Sequence, residues 1–174
     1  MRLILLVLLS IPFLSSADDG WYEDGQLISD SLWQKHDGTF KAQLFLSDDA
    51  ENIYKQWNNG PANKVRFTDL PRIKSGRYFE AIVVFAGCKK DKQDKCVLTG
   101  DWTVKRIDDS VYGEAKGSPI YQGQGPKIDQ QLMISTNGLG LTANSEDDEY
   151  IINVTVKDKI GNKSITLQRS IVVE

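Results

Sequence analysis

An all-β fold, an antiparallel β-sandwich with one short helix near its start, is what this sequence predicts, and three observations predict it. The C-terminal third breaks into short runs of alternating apolar and polar residues, separated by turn residues. Residues 77–87 form a run that is apolar on both faces, the mark of a central strand covered twice. Only one segment beyond the opening apolar run, DDAENIYKQWNNGP, has helical spacing.

The chain opens MRLILLVLLSIPFLSSADD, with Arg2 ahead of an apolar run from Leu3 to Leu14 and small residues Ser15, Ser16 and Ala17 before an acidic start. This is the layout of a secretory signal peptide, residues 1–17, cleaved after Ala17; an uncleaved anchor is the alternative. The run is shorter than the ~20 residues a helix needs to cross a bilayer, and Pro12 weakens it further. The expected product is exported, periplasmic or secreted, with no stable membrane span after cleavage. Loss of Arg2 with the leader moves the formal net charge from −3 to −4. Nucleic-acid binding needs a basic excess to displace counterions, so that class is disfavoured. The remaining residues, about 157, suit one domain. The expected division is an N-terminal extension at 18–75, packed on the sandwich, and the sandwich itself at 76–174.

The mature opening, DDGWYEDGQLISDSLW, reads as an ordered loop or edge. In TFKAQLFLSDD, Phe40, Ala42, Leu44 and Leu46 alternate with Thr39, Lys41, Gln43 and Phe45, a strand with one buried face. The helix follows: Asp48 as cap, Glu51 as its capping-box partner, Ile53 and Trp57 on one face, and a stop at Asn58-Asn59-Gly60-Pro61. RYFEAIVVFAG is the doubly apolar strand, and CVLTGDWTVKRID the next, with Trp102 and Val104 on one face. GEAKGSPIYQGQGPK, residues 113–127, holds four glycines and two prolines and reads as a loop. Its Gly123-Gln-Gly125 is no nucleotide fingerprint, because Pro126 follows where a helix would have to begin. QLMIS, GLGLTANS, EYIINVTVKD and KSITLQRSIVV then read as strands, with Ile160-Gly161-Asn162 turning between the last two. Arg169 alone interrupts the apolar face of the last one.

The run from Glu146 to Val154, EDDEYIINV, resembles the acidic turn and tyrosine that open strand F of immunoglobulin-like domains. Trp102 stands where a strand C tryptophan would, after a strand B candidate at 77–87, and VKDKIGNKSITL looks like the F–G hairpin of bacterial immunoglobulin-like repeats. The resemblance covers roughly residues 75–174 and implies an immunoglobulin-like sandwich in an exported bacterial protein. It departs from antibody domains in having no cysteine in strand F. It therefore implies architecture and carries no catalytic site, cofactor or ligand with it.

Groups for catalysis are sparse. His36, in WQKHDG, is the only histidine and reads as part of a surface turn, so a Ser-His-Asp or Cys-His device has little to build on. Two cysteines and one histidine cannot complete a four-ligand zinc site. Acidic clusters occur at Asp18-Asp19, Glu23-Asp24, Asp48-Asp49 and 146–149. None has EF-hand spacing, so solvated turns are the expectation and no metal is implied, with 146–149 the best of them for calcium. Trp21 and Trp33 are candidates for a binding face, against packing over the sandwich end; Trp57 and Trp102 read as core. Asn153-Val-Thr155 and Asn162-Lys-Ser164 fit the N-glycosylation pattern, which matters only in a eukaryotic secretory pathway.

The stretch GCKKDKQDKC holds both cysteines. In an exported protein Cys88 and Cys96 should pair, and closing a loop of about nine residues stabilises by about 2.5 kcal/mol in the chain-entropy picture. They end one strand and begin the next, which predicts a staple on a hairpin. Between them Lys89, Lys90, Lys92 and Lys95 stand against two aspartates, a basic loop on an acidic body. A solvated turn is the plain reading, and docking to an acidic partner the functional one. The expected function is an exported recognition module that contacts another protein in the cell envelope or outside the cell, such as a periplasmic inhibitor or immunity-type protein. The alternative is a small hydrolase or carbohydrate-binding protein acting on glycan or cell wall through acidic and aromatic residues. Intact mass of the secreted protein should show two hydrogens lost from the thiols; full reactivity with a thiol reagent under native conditions would refute the pairing.

Overall fold

Residues 20–23, 25–59, 65, 67–68, 70–128, 130–144 and 148–174 are described by a computed structural model; the expected signal peptide and the acidic residues 146–147 lie outside them. The strands are β1 (Trp21–Glu23), β2 (Gln26–Ile28), β3 (Gln34–Asp37), β4 (Phe40–Ser47), β5 (Arg72–Ile73), β6 (Tyr78–Ala86), β7 (Lys95–Arg106), β8 (Val111–Gln124), β9 (Met133–Ile134), β10 (Leu139–Thr142), β11 (Glu149–Asp158) and β12 (Lys163–Val173). The helix α1 spans Ala50–Asn59. β1 and β2 form a small hairpin of their own. The first large sheet runs β3-β4-β6, with β9 and β10 sharing the far edge of β6; the second runs β5-β12-β11-β7-β8. All pairings are antiparallel except the short one of β5 with β12. The fold is thus the predicted all-β sandwich with one short helix.

Strand period two decides which side chains fill it. Phe79, Ala81, Val83 and Phe85 of β6 and Phe40, Ala42, Leu44 and Leu46 of β4 face inward. From the second sheet, Trp102, Val104, Tyr150, Ile152, Val154 and Leu167 meet them. The opposite face of β6 is apolar too, and Ile82 and Val84 pack there under Ala50 and Ile53 of α1. The strand covered twice is therefore covered by a sheet on one side and by the helix on the other. β3 and β4, within the expected N-terminal extension, belong to the sandwich itself: β4 pairs with β6 over seven positions and its apolar face lies in the same core.

Three expectations change in detail. Residues 113–127 are largely strand, not loop: β8 pairs with β7 through three register shifts, at Leu98/Thr99, Gly100/Trp102 and Val104/Lys105. Its glycines and Pro119 are tolerated because β8 is an edge strand and the bulges absorb the misfit, and only Ile120 of its side chains is fully buried, so no alternation advertises it. The helix begins one residue later than expected, with Asp49 as cap: Ile53 N–H donates to its carbonyl at 3.3 Å, and Ser47 Oγ accepts from its N–H at 3.0 Å. Trp57 is half-buried rather than core, its ring tilted against Phe67 with centroids 6.2 Å apart. Arg169, the break in the apolar face of β12, crosses to the first sheet, where Nε donates to Leu44 O at 3.2 Å and the guanidinium lies 4.5 Å from the Trp33 ring.

At the start of β11, the Tyr150 hydroxyl accepts the Asn144 backbone N–H at 3.0 Å, across the turn that the acidic run was expected to form. Its ring is fully buried against Phe79 and Tyr112. Leu167→Ala should cost about 2–5 kcal/mol by cavity formation, whereas Ser164→Ala on the exposed face of the same strand should stay within about 0.5 kcal/mol. Urea midpoints of the two variants check this.

Candidate functional site

The two cysteines are bonded, with Cα atoms 6.0 Å apart. The hairpin expected between them is absent, because β6 and β7 belong to different sheets. The disulfide closes the crossover from one sheet to the other. Gly87 begins that crossover at φ +67°, and a Cβ there would lie 1.8 Å from the Thr39 carbonyl oxygen, so only glycine passes. Just beyond it the chain carries the four expected lysines, all exposed.

Two aspartates give this loop a single shape. Asp91 Oδ1 accepts the backbone N–H of Gln93 at 2.7 Å and of Lys95 at 2.9 Å, and those bonds hold its carboxyl below the ordinary range. Asp94 takes the left-handed conformation at φ +59° and its carbonyl accepts from Gly125 N–H at 2.7 Å, which ties the loop to the end of β8. Asp158, only 2 % exposed, holds the other side. Its Oδ2 accepts Lys89 N–H at 2.8 Å while Oδ1 accepts Ile160 N–H at 3.0 Å and Gly161 N–H at 2.9 Å. One buried carboxylate thus sets both the β6–β7 crossover and the β11–β12 turn.

Between these segments lies an open cleft of about 410 Å³, walled by Cys88, Lys89, Lys90, Pro126, Asp158 and Lys163. Lys90 Nζ donates to Pro126 O at 3.3 Å and Lys163 Nζ to Asp37 O at 2.6 Å, so two of the ammonium groups are held at its rim. Lys127 follows Pro126 and Lys159 follows Asp158, both exposed, and Lys159 N–H donates to Val97 O at 3.0 Å. Lysines from three distant segments therefore converge on one end of the sandwich. Sequence reasoning found Lys89, Lys90, Lys92 and Lys95 but missed Lys127, Lys159 and Lys163, each of which looks like an ordinary turn lysine until the register is known. Beside them Ile128 is 73 % exposed, an apolar side chain set among cations.

The remaining candidates fall elsewhere. His36 lies on β3, not in a turn, and its Nδ1 pairs with Asp30 Oδ1 at 2.7 Å. Ser31 Oγ next to Asp30 is buried and bonded to nothing among the described residues, so the pair does not extend into a Ser-His-Asp relay. Trp21 is buried with its indole N–H donating to Lys35 O at 3.1 Å, and Trp33 is sandwiched by Phe45 and Arg169. Both pack over the sandwich instead of offering a ring to solvent. Among the described residues no group of three or more His, Cys, Asp or Glu side chains could hold a metal ion, and no helix is long and apolar enough to cross a membrane.

Asp158→Ala strips an acceptor from three backbone N–H groups and should cost about 2–4 kcal/mol. Asp158→Asn keeps Oδ1 for its own turn and turns an amide N–H toward Lys89 N–H, so it should cost less while freeing the crossover loop. Denaturant midpoints and the amide exchange rate of Lys89 in the two variants separate these effects, and equal behaviour of both would overturn the assignment.

No family model matches the chain, and no curated protein matches it. Among solved structures it is similar to a family 123 glycoside hydrolase from Clostridium perfringens, described in terms of glycolipid glycan hydrolysis, at a TM-score of 0.39 and 9 % identity. The likeness covers 76 % of this chain and 27 % of that one, so this chain spans about a quarter of that structure's length.

Proposed function

We propose that the protein is an exported recognition module of immunoglobulin-like architecture whose basic end docks an acidic protein surface. The observation that carries this reading is the convergence of Lys89, Lys90, Lys92, Lys95, Lys127, Lys159 and Lys163 on one disulfide-braced end of a chain whose overall charge is negative. Ile128 supplies the apolar contact at that end, and the lysines supply the charged rim, the usual division of labour in a protein interface. Rigidity also supports it: the disulfide, Asp91 and Asp158 fix the loop before any partner arrives, so little ordering entropy is lost on binding. The disulfide accords with an oxidising compartment. The Tyr150 bond to upstream backbone and the strand order β12-β11-β7 support the immunoglobulin-like reading.

Hydrolysis draws less support. The cleft at the basic end contains one described carboxylate, Asp158, and all three of its bonds go to backbone. A second cleft carries Asp48 and Glu174, but Glu174 is bonded to Arg72 at 2.9 Å. Neither resembles a pair of free carboxyls flanking a scissile bond.

Reversal of charge at Lys89, Lys90, Lys92 and Lys95 together to Glu should leave the fold intact and abolish capture of the partner that the wild-type protein pulls from its own cell envelope. Capture by the wild type should weaken as salt rises. A partner retained by the charge-reversed protein, or turnover of a glycan panel with no protein partner recovered, would sink the reading.

A further inference from the structure

A third cleft, of about 500 Å³, opens between α1 and β9 and is walled by Tyr54, Trp57, Asn58, Tyr121, Ser135 and Thr136. Three aromatic rings meet there, Tyr54 and Trp57 from α1 and Tyr121 from the distant β8. Each is held by something other than a ligand. Tyr54 donates its hydroxyl to Glu80 Oε1 at 2.7 Å, and burial and that carboxylate push its pKa above the ordinary tyrosine range. Tyr121 donates to Gln124 O at 2.7 Å and sets its ring edge-on to Phe85 at 5.1 Å. Trp57 leans on Phe67. With their hydroxyls already engaged, both tyrosines offer rings rather than donors to the cleft.

Polar groups alternate with the rings. The Asn58 amide and the Trp57 indole N–H make no hydrogen bond among the described residues, and Thr136 is exposed. Thr136 Oγ1 donates to Ile120 O at 3.2 Å and accepts from Asn137 Nδ2 at 3.5 Å, which leaves one lone pair for a further donor. Among the described residues no lysine or arginine lines this cleft, in contrast to the basic end. Glu80 lies behind Tyr54, which makes the site unwelcoming to anions.

We infer that this cleft is a binding subsite for a neutral oligosaccharide, one or two sugar rings long at the contact. Sugar rings present flat C–H faces that pack on aromatic faces, and a fringe of hydroxyls that both donate and accept. The cleft matches both needs: fixed rings for the faces, and an amide, an indole N–H and a hydroxyl for the fringe. Its size is ordinary for a small-ligand site. With no cationic group among the described wall residues and Glu80 behind Tyr54, the cleft favours uncharged sugars over sulfated, phosphorylated or uronic ones. This site is independent of the basic end, and either can exist without the other.

The test titrates the intact mature protein with neutral oligosaccharides of two to six sugar units, read by the side-chain NMR resonances of Trp57 and Tyr121 and by tryptophan fluorescence. At least one sugar should shift both rings saturably. Trp57→Ala should weaken it by about tenfold or more, which corresponds to ~1.4 kcal/mol. Because Trp57 also packs on Phe67, the exposed Asn58→Ala is the control: it should reduce affinity several-fold with the urea midpoint unchanged. The Lys89, Lys90, Lys92 and Lys95 charge reversal should bind sugar normally. Three results would overturn the inference: no neutral sugar in the panel shifting the rings at 10 mM (on the order of the weakest useful affinity), a sugar whose binding survives Trp57→Ala and Asn58→Ala, or a proline-rich peptide binding there in preference to any sugar.

Discussion

A strand with no polar face cannot be left with one side open, and β6 sets that constraint on the whole molecule. Phe79, Ala81, Val83 and Phe85 demand cover on one face, and Ile82 and Val84 on the other. The second sheet answers the first demand and α1 the second. Fully burying an aliphatic side chain is worth roughly 1.5–3 kcal/mol relative to leaving it exposed, so no single turn or ion pair competes with this strand in deciding the layout. The helix is not an ornament on a sandwich: it is the lid that a doubly apolar strand requires. The aromatic cleft lies between that lid, β9 and Tyr121 of β8.

The basic end is built on a different principle. Apolar burial contributes little there, and polar bonds to backbone fix the shape. Asp91 organises the crossover from within, Asp158 binds it to the β11–β12 turn, and the disulfide shortens the path between sheets. Asp91 and Asp158 are turned onto N–H groups, while the four lysines of the loop face solvent. The loop thus reads as electropositive outside although its composition is mixed. Counting residues in the loop gives a net of +2, and all four of its lysines are exposed.

Strands with strong alternation were legible from the sequence because burial on one face writes itself as period two. β4, β6, β7, β11 and β12 were read this way, and so was the double cover of β6. β8 was not legible, since an edge strand buries few side chains and its glycines and proline mimic a loop. The sheet assignment of β6 and β7 was equally hidden: a short connector between two strong strands looks like a hairpin whether or not the strands pair. Of the basic site, the four lysines between the cysteines were visible as a run, while Lys127, Lys159 and Lys163 come from positions that only the folded register brings near. The aromatic cleft left little signal, because Tyr121 lies several elements beyond the helical pair Tyr54 and Trp57, and Trp57 shares its spacing with core residues.

The irregular pairing of β8 has a consequence for how copies of this protein meet in solution. At fourteen residues it is a long edge, and a straight edge of that length would present an unbroken row of donors and acceptors to the edge of a second molecule. Three register shifts turn stretches of that row out of line, and Pro119 removes one donor. Lys116 and the left-handed Gly117 interrupt it again. What remains is a series of short segments, each too brief to template sheet growth. The glycines that disguised β8 as a loop are, in the folded chain, part of what keeps the sandwich from stacking edge to edge into aggregates.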